Sequence, residues 1–503
     1  MSVSSTHPSH QLLIDDWRTI RDCYAGESTV KAAGARYLPV TPGQILDGYN
    51  SGNAVAIATY EAYKGRAVYP DFFELGVRTL IGILNAKPPK ITLPTEMEFI
   101  RRKATRKNDT LDGVLRKIHL EQLTVGRAGI IADMPVAAEV GKDEHYLEVY
   151  PGERVINWDD GSFNEGFGKL NMVALDETGF ERTSDYSWRE VKKFRVLTLG
   201  NLSENEPIGM YQSGVGLDQG DIDFITPKFR GKELDELPFV FVNTTDIAPE
   251  PETAPLLGLA NLCLVIYRAE ADYRNTLFLQ GQDTLVIIGG VRQQNPNEAL
   301  RIGAGARIDL EVGGDAKYVG IGANGLPEQR LALETDRSLA AVRTGQLLAP
   351  GKMSMESGEA LKTRVAAQTA TLTSVAISSA AALEEILRKV ARWRGLNENE
   401  VSVSPNLDFT NIAISGQDLV QLMTAKNLGA PLSYETIHNT MRERGVTRST
   451  FDEEMKMISD DPEVLKSIAE ASGSLAGNNS LQAAGGATKK PAVKDPVSNA
   501  PSK

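Results

Sequence analysis

Apolar positions in the first 125 residues recur at helical spacing. Leu13, Trp17, Ile20 and Tyr24 fall on one helical face, and Gly26 is placed to end that helix. Pro70 and Asp71 start a second helix with a stripe of Phe73, Val77, Leu80, Ile81 and Leu84. Asn85 ends it, and Pro88-Pro89 forces an extended exit. Leu111, Leu115, Ile118 and Leu123 keep the same period over 108–125. Gly126 and Gly129 then bracket a turn into a buried strand, GRAGIIADMP. From 146 to 245 the pattern becomes that of strands, as in YLEVYPGERVINW, GKLNMVALDE, EVKKFRVLTLG and LPFVFVN, separated by Gly, Asp and Asn turns. The fold class expected of the first half is α+β.

Long helical patterns return at Thr253. Leu256, Leu259, Leu262, Ile266, Tyr273 and Leu277 share a face, with Pro255 suited to the first turn and Gly281 to the end. A glycine-rich, β-forming insert follows, and Pro327 opens a further helix. A loop bearing Gly and Met comes next, and then a proline-free helix from about Ser357 to Arg394, roughly 55 Å long at ~1.5 Å per residue. Leu361, Val365, Leu372, Val375, Leu383, Ile386 and Val390 form its seam, and Ala, Ser and Thr fill much of the rest, which suits either one helix of a monomeric bundle or a helix packed against copies of itself in a ring. VSVSPNLDF reads as a returning strand. QDLVQLMTAKNLG and SYETIHNTMRERG read as helices, the second capped by Ser433, stapled by Leu432 and Ile437 and closed by Gly445. STFDEEMKMISDDPEVLKSIAEA adds one or two more. Residues 1–12 are polar and expected to be disordered, as is the Gly-, Ala- and Ser-rich tail 471–503.

The bulk numbers narrow the function. A chain of 503 residues with 41% hydrophobic and 24% charged residues can build several cores. Its net charge of −12 disfavours tight wrapping of nucleic acid. The two cysteines, Cys23 and Cys263, have no metal spacing and are expected as free buried thiols. No run approaches the ~18 apolar residues of a membrane span, and no membrane partner or signal peptide is expected.

Candidate chemistry is sparse. Gly320–Gly325 (GIGANG) matches G-x-G-x-x-G and is the basis of an alternative, a nucleotide-binding enzyme; a Rossmann site would also need a βαβ unit that does not follow. Gly345–Lys352 resembles a P-loop, but with five residues between its glycines and Met353 where Ser or Thr should hold Mg²⁺. His119 is expected as a surface or partly buried helix residue, and Asp159-Asp160 as a solvated turn. His7, His10, His145 and His438 form no ligand set. No catalytic residue, cofactor or metal site is assigned, and no enzyme activity is expected.

The order of parts resembles the portal proteins of tailed bacteriophages. MSMESGEALKTR is similar to the portal signature that opens a kinked helix behind the tunnel loop, here Ser357, Gly358, Ala360, Leu361 and Lys362. FFELGVRTLIGILNAKPPKI looks like the N-terminal portal helix with its Gly/Pro-rich exit. The resemblance implies a portal-like architecture. It has an α/β wing (13–252), a helical stem (253–281 and 327–343), a β-rich clip (282–326), a tunnel loop (344–356), a long wing helix with its return strand (357–415) and helical crown (416–470). It implies a homo-oligomeric ring, commonly a dodecamer, at one capsid vertex of a virion, assembled in the host cytoplasm. The implied partners are the terminase large subunit, head-completion and tail adaptor proteins, capsid and scaffolding proteins, and double-stranded DNA passing through the channel during packaging and ejection. Gln346, Lys352, Met353, Met355 and Glu356 would line that channel.

Overall fold

A computed structural model describes residues 2–134, 145–161, 170–200, 210–217, 222–281, 284–289, 310, 312–319, 325–344, 358–407, 409, 416–443, 446–447 and 449–460, with backbone only at 284, 318–319, 358–368, 416–419, 443 and 460. The chain divides into two units, 1–409 and 410–503.

In the first unit, α1 (Pro8–Ala25), α2 (Glu27–Ala32), α3 (Pro42–Leu46), α4 (Ala54–Arg66) and α5 (Phe72–Leu84) lead to β1 (Lys90–Thr92), α6 (Phe99–Arg102) and α7 (Leu111–Thr124). The strands β2 (Arg127–Asp133), β3 (Tyr146–Pro151), β4 (Val155–Asp159), β5 (Met172–Asp176), β6 (Gly179–Arg182), β7 (Trp188–Val191), β8 (Lys193–Leu199), β9 (Tyr211–Leu217), β10 (Asp223–Ile225) and β11 (Phe239–Asn243) follow. Then come α8 (Leu257–Gln280), β12 (Thr284–Ile288), β13 (Asp315–Val319), α9 (Leu326–Arg343), α10 (Gly358–Arg394) and β14 (Ser402–Ser404). The second unit holds α11 (Gly416–Asn427), α12 (Tyr434–Glu443) and α13 (Phe451–Asp460). Ser433 Oγ accepts from Thr436 N at 2.9 Å and so caps α12; Gly445 and the tail 471–503 lie outside the described residues.

The sheets are antiparallel. One runs β11-β2-β3, a larger one β10-β9-β8-β5-β4, and β1 pairs with β14. Every residue of β2 is buried, because it lies between two cores. Ala128, Ile130 and Ala132 meet Leu115 and Ile118 of α7 and Leu383, Ile386 and Val390 of α10. Ile131 belongs to the other core, with Trp158, Leu197, Phe239, Phe241 and Trp393. Gly129 is required there, since a Cβ would overlap the Phe239 ring and lie 3.0 Å from Val155. A third core joins α1, α5 and α8 through Ile20, Cys23, Phe73, Val77, Cys263, Ile266 and Tyr267. Both cysteines are free and buried.

Several expectations are corrected. The first twelve residues are ordered from Ser2 onward. Pro8 stands in the first turn of α1, and the His7 ring accepts from Ser9 N. His7 N also donates to Ile156 O at 2.8 Å, and its ring stacks on Trp158 at 4.0 Å. The polar leader is therefore tied to β4, an outer strand of its sheet. Helix α8 starts at Leu257 rather than within the turn containing Pro255.

His119 is only 2% exposed. It faces Ser379 of α10, Nε2 to Oγ 3.0 Å. The small residues of α10 are also used within the chain. Ser378 Oγ contacts Asn243 O at 2.6 Å and Asp246 O at 2.8 Å, and Ala376, Ala380 and Ala382 are buried in the same chain. Close approach of α10 to β11 and α7 within the chain uses their small size at these positions. The window Thr369–Arg394 meets the length and hydropathy of a membrane span, which the interspersed Ser and Thr conceal by eye. More than half of that window, 56%, is buried inside the protein, as in a core helix. Asp159 accepts from Gly161 N at 2.9 Å, closing a turn.

Candidate assembly arm and loop base

α8 and α9 run side by side in opposite directions. Arg343 Nη1, at the end of α9, donates to Gly258 O at the start of α8 at 3.1 Å. Further along, Arg337 of α9 bonds Glu270 of α8, whose other oxygen accepts from Arg274 Nε at 2.6 Å. Glu270 is 3% exposed while both arginines are half-exposed, so a buried carboxylate pins the pair from inside and the cations face water.

Beyond this pin the apolar stripe runs out of partners. Leu259, Ile266 and Tyr267 are buried, but Leu277, Phe278 and Leu279 are each more than 40% exposed. On α9 only Leu333 and Ala340 are buried, while Leu331, Leu339 and Val342 face solvent. β12 and β13 pair from Thr284↔Val319 to Ile288↔Asp315 between the two helices in sequence. Val286, Ile288 and Val312 there are exposed too. This is an arm of two helices and a hairpin whose outer apolar surface no described residue of the chain covers.

The arm and the long helix meet at a fixed base. Thr344 follows α9, is fully buried, and donates from Oγ1 to Ala341 O at 2.8 Å. Gly76 of α5 lies beneath it: a Cβ there would sit 3.3 Å from Thr344 Cγ2 and 3.4 Å from Leu259 Cδ2. Thr344 is thus held in a packed junction of α5, α8 and α9. α10 is one α-helix of 37 residues. Its C-terminal half is clamped by ion pairs: Glu236 bonds Lys389 Nζ at 2.9 Å and Arg392 Nε at 2.6 Å, and Arg392 also reaches Glu385 and Glu398. Lys232 Nζ caps the helix end by donating to Arg392 O at 2.7 Å.

Two buried imidazoles lie against α10. Ser379 Oγ donates to Ala376 O, so it receives the His119 Nε2 proton, and His119 Nδ1 has no hydrogen-bond partner. Burial lowers the pKa of His119 to about 4. His145 lies 5.0 Å from the rings of both Trp393 and Phe229, and its Nδ1 accepts from Arg394 Nη1 at 3.2 Å. Burial and then the Arg394 cation lower its pKa to about 4 against the opposing charge of Asp133.

Of the residues singled out in the sequence, Gln346, Lys352, Met353, Met355, Glu356 and Ser357 lie outside the described residues. Gly358, Ala360, Leu361 and Lys362 fall in the first turns of α10. Gly320 and Gly322 are likewise outside, and Gly325 precedes α9. The residues that define the base, Gly76, Glu270, Arg337 and Thr344, were not singled out. Glu270 alone carried a signal, as an acidic residue interrupting a long apolar stripe.

The family described as Domain of unknown function (DUF4055) matches residues 255–394. That span begins two residues before α8 and closes on the last residue of α10, so it takes in α8, β12, β13, α9 and α10. No curated protein matches the chain. Among solved structures, the chain is similar to one in the neck of an empty GTA particle computed with C6 symmetry, at 14% identity and a TM-score of 0.39, over 74% of this chain and 90% of that one. It is similar to another in the virion of a native gene transfer agent (GTA) particle, at 15% identity and a TM-score of 0.39, over 74% and 89%.

The arm depends on its pin. Replacing Glu270 by Ala is expected to cost about 1–2 kcal/mol, because two charge-assisted bonds are lost while both arginines can still reach water. Hydrogen exchange should quicken in 326–337 and in the second half of α8, with β2 unchanged.

Proposed function

We propose that this chain is a structural ring subunit of a phage-like particle, a portal through which double-stranded DNA enters and leaves. The carrying observation is the arm: two helices pinned by Glu270, with exposed apolar side chains along their outer half and a buried Thr344 at the end of the second. Copies around an axis would cover those side chains, since head-to-tail contacts close into a ring. The order of arm, loop and long helix is the one that carries the resemblance to portals.

In this role the tunnel loop 344–356 faces the channel, Lys352 offers a phosphate a single cation, and Met353 and Met355 adapt to a moving groove. The net charge of −12 keeps the duplex from binding along the wall, because each neutralised phosphate adds affinity. The hairpin end of the arm is the surface offered to a packaging motor and to head-completion proteins. The role requires assembly, not catalysis.

Electron microscopy of the purified protein tests this reading. Rings of about a dozen subunits with a central hole are expected, as the resemblance implies, and a stable monomer under assembly conditions overturns it. The Lys352→Ala variant should fill heads with DNA more slowly; unchanged filling, both in this variant and in one with a shortened loop, would remove the loop from the mechanism.

A further inference from the structure

The strands β6 and β7 extend the β5–β8 pair outward as a ribbon. Asp176 pairs with Phe194, Glu177 N donates to Lys193 O at 2.8 Å, and pairing resumes from Gly179↔Val191 to Arg182↔Trp188. The register puts Phe180, Arg182, Trp188 and Glu190 on one face. Phe180 is 74% exposed, Trp188 64% and Tyr186, in the turn, 95%. A two-stranded ribbon bare on both faces is marginal in water, and three exposed aromatic side chains on one is a patch that calls for a cover.

The ribbon's charges indicate what covers it. Arg182 donates from Nε to Ser184 O at 3.0 Å and from Nη2 to Asp185 O at 2.5 Å, and Arg189 lies 3.5 Å from Glu181. Both cations have partners within the ribbon but stay more than half exposed, so the unmet demand is chiefly apolar with a charge left to border, which fits a protein surface and not a nucleic acid. The chain itself carries such a surface. At the β10 end of the large sheet, Val215, Leu217 and Ile225 share a face, because Ile225 pairs with Ser213, and they are 38%, 56% and 50% exposed. Asp223 stands opposite Val215 on that edge, an anion to border the ribbon's Arg182.

We propose that the ribbon of one copy docks on the β9–β10 edge of the next copy. This rests on the ring reading and extends it to a second, sheet-based contact separate from the arm. In a ring the contact is head-to-tail, ribbon on edge, the kind that propagates around an axis. β10, an edge strand of three residues, gains a cover.

Two experiments test the docking. The triple variant F180S/Y186S/W188S loses no buried side chain, so its monomer should keep the wild-type circular dichroism. In sedimentation its ring should dissociate at protein concentrations about tenfold higher or more. In the second, Y186C protein is mixed with I225C protein and treated with a short bis-maleimide; Cys23 and Cys263 are buried and stay silent. A cross-linked pair is expected from the mixture and not from either protein alone. Wild-type rings whose dissociation the triple variant does not change, or a mixture without cross-link, overturn the docking and leave the ring reading intact, with the ribbon free for a different protein. A wild-type chain that stays monomeric overturns both.

Discussion

Acidification from pH 7 to 5 should destabilise the first unit by about 2 kcal/mol for each of two histidines, roughly 4 kcal/mol together. His119 and His145 titrate near 6.5 in the unfolded chain and near 4 in the native one. A depressed histidine pKa means that the unfolded state takes up the proton first. The stability is fully present above about 6.5, falls as the pH drops through the window, and is lost completely near 4. His10, lowered chiefly by burial, acts in the same direction. The physical cause is visible at each ring. A proton on His119 Nδ1 would be a buried donor with no acceptor, and one on His145 Nδ1 would confront the Arg394 guanidinium. Both rings lie against α10, so the helix should loosen first. Chemical denaturation across pH 7 to 5 measures the slope; His119→Gln should flatten it by about half. An unchanged slope in that variant would assign the titration to other groups.

Replacing Arg195 by Met should cost about 3 kcal/mol, because two buried carboxylates lose their nearest cation and keep only the more distant Lys193, 3.5 Å from Glu177, and Arg106, 3.9 Å from Asp133. Arg195 Nη1 bonds Asp133 Oδ2 and Nε bonds Glu177 Oε1, each at 2.6 Å, with all three side chains less than 15% exposed. Burial works to raise the Glu177 pKa, but Arg195 and the Tyr150 hydroxyl outweigh it and hold the carboxyl below its usual value. Tyr146 Oη also donates to Asp133 Oδ2 at 2.7 Å. Neutralising the stranded partners should recover most of the loss. The R195M/D133N/E177Q variant is expected to unfold at a denaturant concentration closer to wild type than R195M alone. Equal midpoints would show that packing, not charge, sets the effect.

The sequence made the long elements readable and left their partners hidden. The period of Phe73, Val77 and Leu84 located α5, and Asn85 its end, because both signals are local. Gly126 and Gly129 marked β2 for the same reason. His119 was misjudged because Ser379 is 260 residues away, and a lone histidine on a helix says nothing about what faces it. The stripe of α8 was read as continuous through Leu277. Periodicity shows that a face is apolar, not where its cover ends. The small residues of α10 signalled close approach correctly but not to what, and β11 and α7 proved to be the neighbours. The ribbon gave only short polar strands, and its aromatic residues stand out only once both faces are seen to be bare.

The length and clamping of α10 have a mechanical consequence. A helix of 37 residues is a rod of roughly 55 Å. Among the residues whose side chains are described, it is gripped from Leu372 to Trp393 by the cores and by the Glu236 pairs. A rod clamped along one part is a cantilever: a sideways push at its Gly358 end arrives at the clamp as torque, greatest where the grip begins and shared along it. His119, which faces Ser379 about two turns into the grip, and Trp393, at its far end, would bear that load. Force applied to the loop would then be felt in the sheet core rather than absorbed where it was applied.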